Sequence, residues 1–238
     1  MLSTIFMGLL VLVHHGESMW NSANKFTGWV DVPLSEHGID EAERCAVHCR
    51  KYAFDQVFTS RLQRAHETLQ IILSDQGRTG IVQHTGVNPI YRPWIRRSNK
   101  FGDDLPVYTS EELNERFYGL LQGMDKSKAE RLFGKEQVFL WRRGYTERPP
   151  KGESLQQAFE RIIPYFRHRI FPRVKRGCRV LLVAHGNTLR ALIKHIERLS
   201  SEEIVDVDLP EARPIVYRYA RSSWKRLEGG YRYGRPLR

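Results

Sequence analysis

Leu10-Val-Leu-Val-His-His-Gly-Glu-Ser18, LVLVHHGES over residues 10–18, ends an aliphatic run abruptly at two imidazoles and a glycine. A continuous aliphatic run predicts a strand covered on both faces, over Leu9–Val13. No Lys or Arg precedes the run, no small-residue cleavage site follows it, and it is too short to span a bilayer. It reads as a first core strand, not as a signal peptide or a membrane anchor. The question it raises is why a strand should end in imidazole.

The same pattern returns in RVLLVAHGNTLRALIKHIERL, residues 179–199. Val180–Ala184 reads as a strand, Asn187 as a helix cap, and Leu189, Leu192, Ile193 and Ile196 as one face of the helix. Between the two lie further strand and helix signals. In LSEHGIDEAERCAVHCRKY, residues 34–52, Ser35 is a candidate N-cap, with Ile39, Ala42, Ala46 and Cys49 at helical spacing. DQVFTS, 55–60, predicts a short strand, and Ser60 a cap for a helix through Arg64 and Leu69. Residues 128–142 and 154–170 read as helices and 215–220 as a last strand. This alternation predicts an α/β fold, a three-layer sandwich with a mostly parallel central sheet and helices on both faces. The whole chain, 1–238, reads as one domain, with an irregular basic insertion at about 75–104 rich in Gly, Pro and Arg.

Ligands of open parallel sheets bind outside the carboxyl ends of the strands. If the two His-Gly strands are neighbours, His15 and His185 face each other there. The helix after His185 points free N–H groups at the same place and favours an anion. Arg64, in the first turns of another helix that follows a strand, can reach the same edge. A neutral imidazole is a nucleophile near pH 7 and can carry a phosphoryl group onward. Arginine grips phosphate oxygens with a fixed charge. Glu115 is a candidate acid–base group for a substrate hydroxyl.

Composition limits the alternatives. The chain is 41% hydrophobic and 27% charged, with a net charge of +11. That charge suits an anionic partner. No zinc-finger spacing, RNP-like aromatic motif or Arg-Gly repeat points to nucleic acid, and the basic residues are scattered apart from RPWIRR at 92–97 and the tail after 213. Cys45, Cys49 and Cys178 form no even framework; Cys45 and Cys49, four apart on an expected helix, read as small buried residues, and a reducing compartment fits. Carboxylates and histidines do not cluster at metal-ligand spacing.

Taken in order, VLVHHGESMWNSANKFTGWVDVPLSEHG, TSRLQRAHETL, LNERFYGLLQG, WRRGY, GESL and AHGNTLRALIKH resemble the cofactor-dependent phosphoglycerate mutases of the histidine phosphatase superfamily. The resemblance implies that His15 becomes phosphorylated, that Arg64, Asn21, His185 and the backbone at Gly186 and Asn187 hold the phosphoryl group, and that Glu115 is the general acid/base. It further implies substrate contacts from His14, Ser18, Thr27, Gly28, Arg116, Tyr118, Lys126, Arg142 and Arg143. The expected cofactor is 2,3-bisphosphoglycerate as priming donor, without metal. A small phosphorylated substrate is expected, with no nucleic acid or membrane partner, in a cytoplasmic homo-oligomer of two or four copies. The chain departs from the family pattern in several places. His14 stands where the family has arginine, LPEAR at 209–213 replaces Ile-Pro-Thr-Gly, the region between Pro150 and Gly152 is short, and the tail, stopping at Arg238, is not expected to provide the mobile lid of longer members. Three functions compete: a mutase, a phosphatase in which water captures the phosphoenzyme, and a non-catalytic phosphate-binding protein.

Overall fold

Successive side chains of the first strand, β1 (Gly8–His14), are buried on opposite faces of one sheet. Leu10 and Leu12 join one core, Val11 and Val13 the other. Burying a Leu or Val side chain contributes about 1.5–3 kcal/mol. A one-residue slip would exchange the two sets, so the register is held from both sides. The computed structural model describes residues 7–83, 104–230 and 232–233.

The sheet continues through β2 (Gln56–Thr59), β3 (Gly80–Gln83), β4 (Leu105–Thr109) and β5 (Arg179–Ala184). A short pair, β6 (Val207–Asp208) with β9 (Arg232–Tyr233), lies outside it, and β7 (Ile215–Ala220) and β8 (Ser223–Glu228) complete it. The seven-stranded order is β3-β4-β2-β5-β1-β7-β8. The first five positions in that order run parallel, and β7 and β8 pair antiparallel at one edge. The expected α/β sandwich with a mostly parallel sheet is therefore the observed fold.

The described residues hold eight α-helices, in chain order α1 (Met19–Ser22), α2 (Glu36–Cys49), α3 (Gln63–Asp75), α4 (Lys126–Phe133), α5 (Lys135–Arg143), α6 (Leu155–Tyr165), α7 (Phe171–Lys175) and α8 (Gly186–Glu197). Helices α2 and α3 pack with Val11, Val13, Val57, Leu181 and Val183. Helices α6 and α8 pack with Leu10, Leu12, Leu182 and Ala184 on the other face. Helix α2 starts as expected, with Ser35 Oγ accepting from the Gly38 amide.

Several local expectations need correction. Ser60 does not cap α3; Leu62 is the N-cap, and the Ser60 hydroxyl accepts from the Leu62 amide instead. The cap of α8 is His185, one residue before the helix, so Asn187 lies inside it. Ile39 is 42% exposed, and Cys45 takes its expected place in the core beside Ala42, Ala46 and Cys49. The segment 128–142 is two helices, broken where Gly134 takes φ 85°, a conformation that costs a side-chain-bearing residue dearly. The segment 154–170 leaves α-geometry at Phe166–Ile170, which winds in a wider π-turn. Within the basic insertion, Gly80–Gln83 is an ordered parallel strand, not irregular chain. The rest of it, 84–103 with RPWIRR, lies outside the described residues.

Candidate active site

The β1–β5 ladder pairs His14 with Ala184, and the His15 amide extends it by donating to the Ala184 carbonyl at 3.0 Å. This brings the two His-Gly turns side by side at the carboxyl edge. The His15 and His185 rings stand 4.9 Å apart, centre to centre. Gly16 follows because the chain is tight there: a β-carbon on it would stand 2.2 Å from the Gly38 carbonyl oxygen.

Hydrogen bonding assigns the His15 tautomer. Nδ1 lies 2.7 Å from the Gly16 carbonyl, which can only accept, so Nδ1 carries the proton. Nε2 then holds a lone pair, and Arg64 Nε donates to it at 3.2 Å. Burial first, then the charges of His14 and Arg64, hold His15 well below its ordinary pKa. The imidazole is neutral at pH 7, with its Nε2 lone pair accepting from Arg64 and its ring on the cavity wall.

Arg64 is fixed at the second position of α3. Its Nη2 and Nη1 donate to the carbonyls of Gly28 and Val30 at 2.8 and 3.1 Å. Burial lowers it to about 10, opposed by Glu115 and Asp31, so it keeps its charge near neutrality. His185 is fully buried, and its Nε2 meets Ser60 Oγ at 2.7 Å. The Ser60 hydroxyl accepts from the Leu62 amide and, when it donates its own proton to His185 Nε2, the His185 proton is on Nδ1. Nδ1 has no hydrogen-bond partner among the described residues. Burial, then Arg64, His15 and His14, depresses this histidine too.

Glu115 sits opposite the start of α8. Its Oε1 accepts from the Arg116 amide at 2.6 Å and its Oε2 from the Asn187 amide at 3.4 Å. Arg161, on α6, holds the loop that carries it. Its Nη1 donates to the carbonyls of Glu111, Glu112 and Asn114, its Nη2 to that of Glu115, and the guanidinium pairs bidentately with Glu153. Glu153 in turn accepts from the Phe117 amide at 3.0 Å.

A cavity of about 150 Å³ opens beside these groups, lined by His14, His15, Asn21, Thr27, Gly28, Arg64, Glu115, Tyr118, Lys126, Arg142 and Gly186. Lys25 and Phe26 also line it, and sequence reasoning missed both. A neighbouring cavity of similar size shares His14, Tyr118, Arg142 and Gly186 with it, and adds Arg143, Asn187, Arg190, Asp208 and Leu209. Arg143 turns toward that second space, pairing with Asp208 at 2.6 Å. Arg116 is fully buried and donates from Nη2 to Tyr118 Oη and to the carbonyls of Trp141 and Arg142 at the end of α5. Ser18 does not line the cavity; it caps α1 and donates to Asn21 Oδ1 at 2.6 Å.

His14 lines both cavities. Burial lowers it to about 4, against the opposing pull of Glu115 and with the help of Arg64; Asp208 and the Leu209 carbonyl act in the raising direction. A histidine in contact with phosphate is expected to be raised, so the protein surroundings by themselves act the other way. Arg190, also missed, spans Asn187 Oδ1 and the carbonyls of Arg143 and Ile204, and burial lowers it to about 9. Neither Arg161 nor Arg190 carries a local signal, since an arginine on a helix face reads as solvated. Burial also lowers Lys126, followed by Arg142.

Among the described residues no three His, Cys, Asp or Glu side chains gather as metal ligands, and no helix is long and apolar enough to cross a membrane.

The chain matches the family model of the histidine phosphatase superfamily (branch 1) over residues 10–88 and 97–228. The gap falls inside the basic insertion. It is 45% identical over 216 residues to 2,3-bisphosphoglycerate-dependent phosphoglycerate mutase 1 of Gloeobacter violaceus, covering 89% of this chain and 93% of that one. To the 2,3-bisphosphoglycerate-dependent phosphoglycerate mutase of Methanococcus vannielii it is 41% identical over 225 residues, covering 93% and 94%. Among solved structures it resembles mycobacterial hydrolase 1, with TM-score 0.73, 21% identity and 93% and 97% of the two chains covered. The native mycobacterial glucosyl-3-phosphoglycerate phosphatase gives TM-score 0.71 at 20% identity, covering 96% and 99%. Identities this low speak for the fold alone.

Proposed function

This chain belongs to the histidine phosphatase superfamily, and from that premise we propose that it is a 2,3-bisphosphoglycerate-dependent phosphoglycerate mutase. It is an isomerase of glycolysis and gluconeogenesis that interconverts 2- and 3-phosphoglycerate through phospho-His15. Identity of 41–45% over nine-tenths of the chain supports the reading. The observation that carries the chemistry is the His15 tautomer: a neutral ring with its proton on Nδ1 and a lone pair on Nε2 beside a buried arginine.

The residues fit a bisphosphorylated ligand. Thr27 Oγ1, His185 Nδ1 and Arg116 Nε and Nη1 are buried polar atoms without partners among the described residues. 2,3-Bisphosphoglycerate supplies the phosphoryl group that charges the enzyme. His15 Nε2 attacks phosphorus, while Arg64, Asn21, His185 Nδ1–H and the amides of Gly186 and Asn187 take up the charge on its oxygens. Glu115 gives a proton to the leaving alkoxide and takes one from the incoming hydroxyl. Thr27, Arg116, Tyr118, Lys126, Arg142 and Arg143 orient the carboxylate and second phosphate. The chemistry needs no metal. The setting we propose is cytoplasmic, with the chain in a homo-oligomer of two or four copies.

The test is incubation with each phosphoglycerate, with and without bisphosphoglycerate. Isomerisation that depends on the bisphosphate, together with acid-labile label mapping to His15 and absent from His15→Ala, is the expected result. Inorganic phosphate without isomerisation, or label persisting in His15→Ala, overturns it.

A further inference from the structure

Arg190 is buried beside the second cavity, three residues after Asn187 on α8, so the two side chains share one face of the helix. Its Nη1 donates to Asn187 Oδ1 at 2.9 Å. A guanidinium can only donate, so this contact fixes which end of the Asn187 amide is oxygen. Nδ2 is thereby turned to Tyr118 and donates to its Oη at 3.3 Å. Arg190 is itself anchored, because Nη2 donates to the carbonyls of Arg143 and Ile204 at 2.9 and 2.6 Å.

Tyr118 Oη accepts a second bond, from Arg116 Nη2 at 3.2 Å. Both partners donate, so neither bond uses the phenolic proton. With both lone pairs occupied, the hydroxyl can only donate to a ligand in the two cavities that Tyr118 lines. The charged groups around it are Glu115 and Arg116 on its own loop, Lys126 on α4 and Arg190 on α8. Burial and Glu115 act to raise its pKa, but Arg116 and the two hydrogen bonds outweigh them and hold it below the usual phenol value. A more acidic phenol is a stronger donor.

We propose that Arg190 is a positioning residue: acting through the Asn187 side chain, it makes the Tyr118 hydroxyl an obligate donor, and so selects a phosphate ester that presents a carboxylate there over one that presents a neutral hydroxyl. The identity of that ester rests on the mutase reading given above. A carboxylate only accepts, and it takes the phenolic proton in a charge-assisted bond. A ligand hydroxyl is a weaker acceptor, and its own proton finds no lone pair on Tyr118. Without Arg190 the Asn187 amide is free to turn over. Its Oδ1 then takes the phenolic proton, and the discrimination is lost.

The experiment compares the KM for 3-phosphoglycerate with the inhibition constant of glycerol 3-phosphate, which carries a hydroxymethyl group in place of the carboxylate. Arg190→Met and Tyr118→Phe should each narrow the preference for the carboxylate by about 10- to 100-fold, the range for losing a hydrogen bond to a charged group, with kcat changed less. The double variant should narrow it no further than Tyr118→Phe, because both substitutions act on one proton. Asn187→Ala, which leaves every charge in place, should move the Tyr118 ionisation, followed by 13Cζ NMR, to higher pH. Where Arg190→Met does not fold, Arg190→Lys is read in the same way, since an ammonium keeps the charge but has no fork for Asn187 and two carbonyls. Effects of Arg190→Met and Tyr118→Phe that multiply, or a Tyr118 titration unchanged in Asn187→Ala, overturn the inference and leave the mutase reading standing. A wild-type chain that does not isomerise phosphoglycerates overturns the mutase reading, while calorimetric binding of the two esters and the Tyr118 titration still decide the role of Arg190.

Discussion

Ser60 Oγ lies 2.7 Å from Nε2 of His185, at the junction of β2 and α3, and accepts at the same time from the Leu62 amide. One hydroxyl therefore orients a histidine 125 residues away and closes the turn into the helix that carries Arg64. Ser60→Ala should destabilise the fold by about 1–3 kcal/mol, because it leaves a buried amide and a buried ring nitrogen unpaired. It should also redistribute the His185 proton between its nitrogens, which 15N chemical shifts report. Ser60→Thr should restore the wild-type tautomer. Unchanged His185 shifts in Ser60→Ala would refute this assignment.

Glu115→Gln should lower isomerisation by ~10²-fold or more, the usual range for a lost acid–base group. The glutamine keeps the size and an acceptor oxygen for the Asn187 amide, so His15 should still be labelled by bisphosphoglycerate. Steady-state rates beside single-turnover labelling separate the two effects. A mutase rate equal to wild type removes Glu115 from the chemistry.

Arg161 tests how far Glu115 depends on its support. Arg161→Lys cannot serve four carbonyls and a carboxylate, since an ammonium has three donors and no planar fork. Turnover should fall about tenfold or more, in the range that misplacing a catalytic group produces. Labelling of His15, on the other side of the cavity, should fall less. Equal loss of both would mean general unfolding, which denaturant titration would reveal.

Stability should fall in acid. Unfolded His14 takes up its proton near 6.5, whereas in the folded protein it resists until about 4. Between those values the unfolded chain binds more protons, so stability is lost as pH falls through the window, with no further loss from this group below about 4. The limit is about 3 kcal/mol for His14 at 1.36 kcal/mol per pK unit. His15 and His185 are depressed as well and act in the same direction. Urea titrations at pH 7 and pH 4.5 should show the loss, and His14→Gln should show less of it. A variant as acid-sensitive as the wild type would mean that His14 is solvated.

Much of this molecule is written in local patterns. Four aliphatic residues from Leu10 to Val13 predict a strand buried on both faces because side chains alternate across a sheet, and the two cores meet those faces as expected. The two His-Gly turns, with FTGWVDVPLS, LNERFYGLLQG and the other blocks in their order along the chain, carry the family resemblance. The charge and tautomer of the key groups were not legible, because each depends on partners far away in sequence. Ser60 orients His185, Thr68 receives the Gly16 amide, and burial drives His14 neutral. Arg143, paired with Arg142 in sequence, turns instead to Asp208, and Arg161 and Arg190 leave solvent to hold backbone carbonyls. Periodicity and turn chemistry act over a few residues and survive in the sequence. Desolvation and hydrogen-bond satisfaction belong to the packed interior, so only the tertiary structure decided which imidazole carries a lone pair, where its proton sits, and which cations face the cavity.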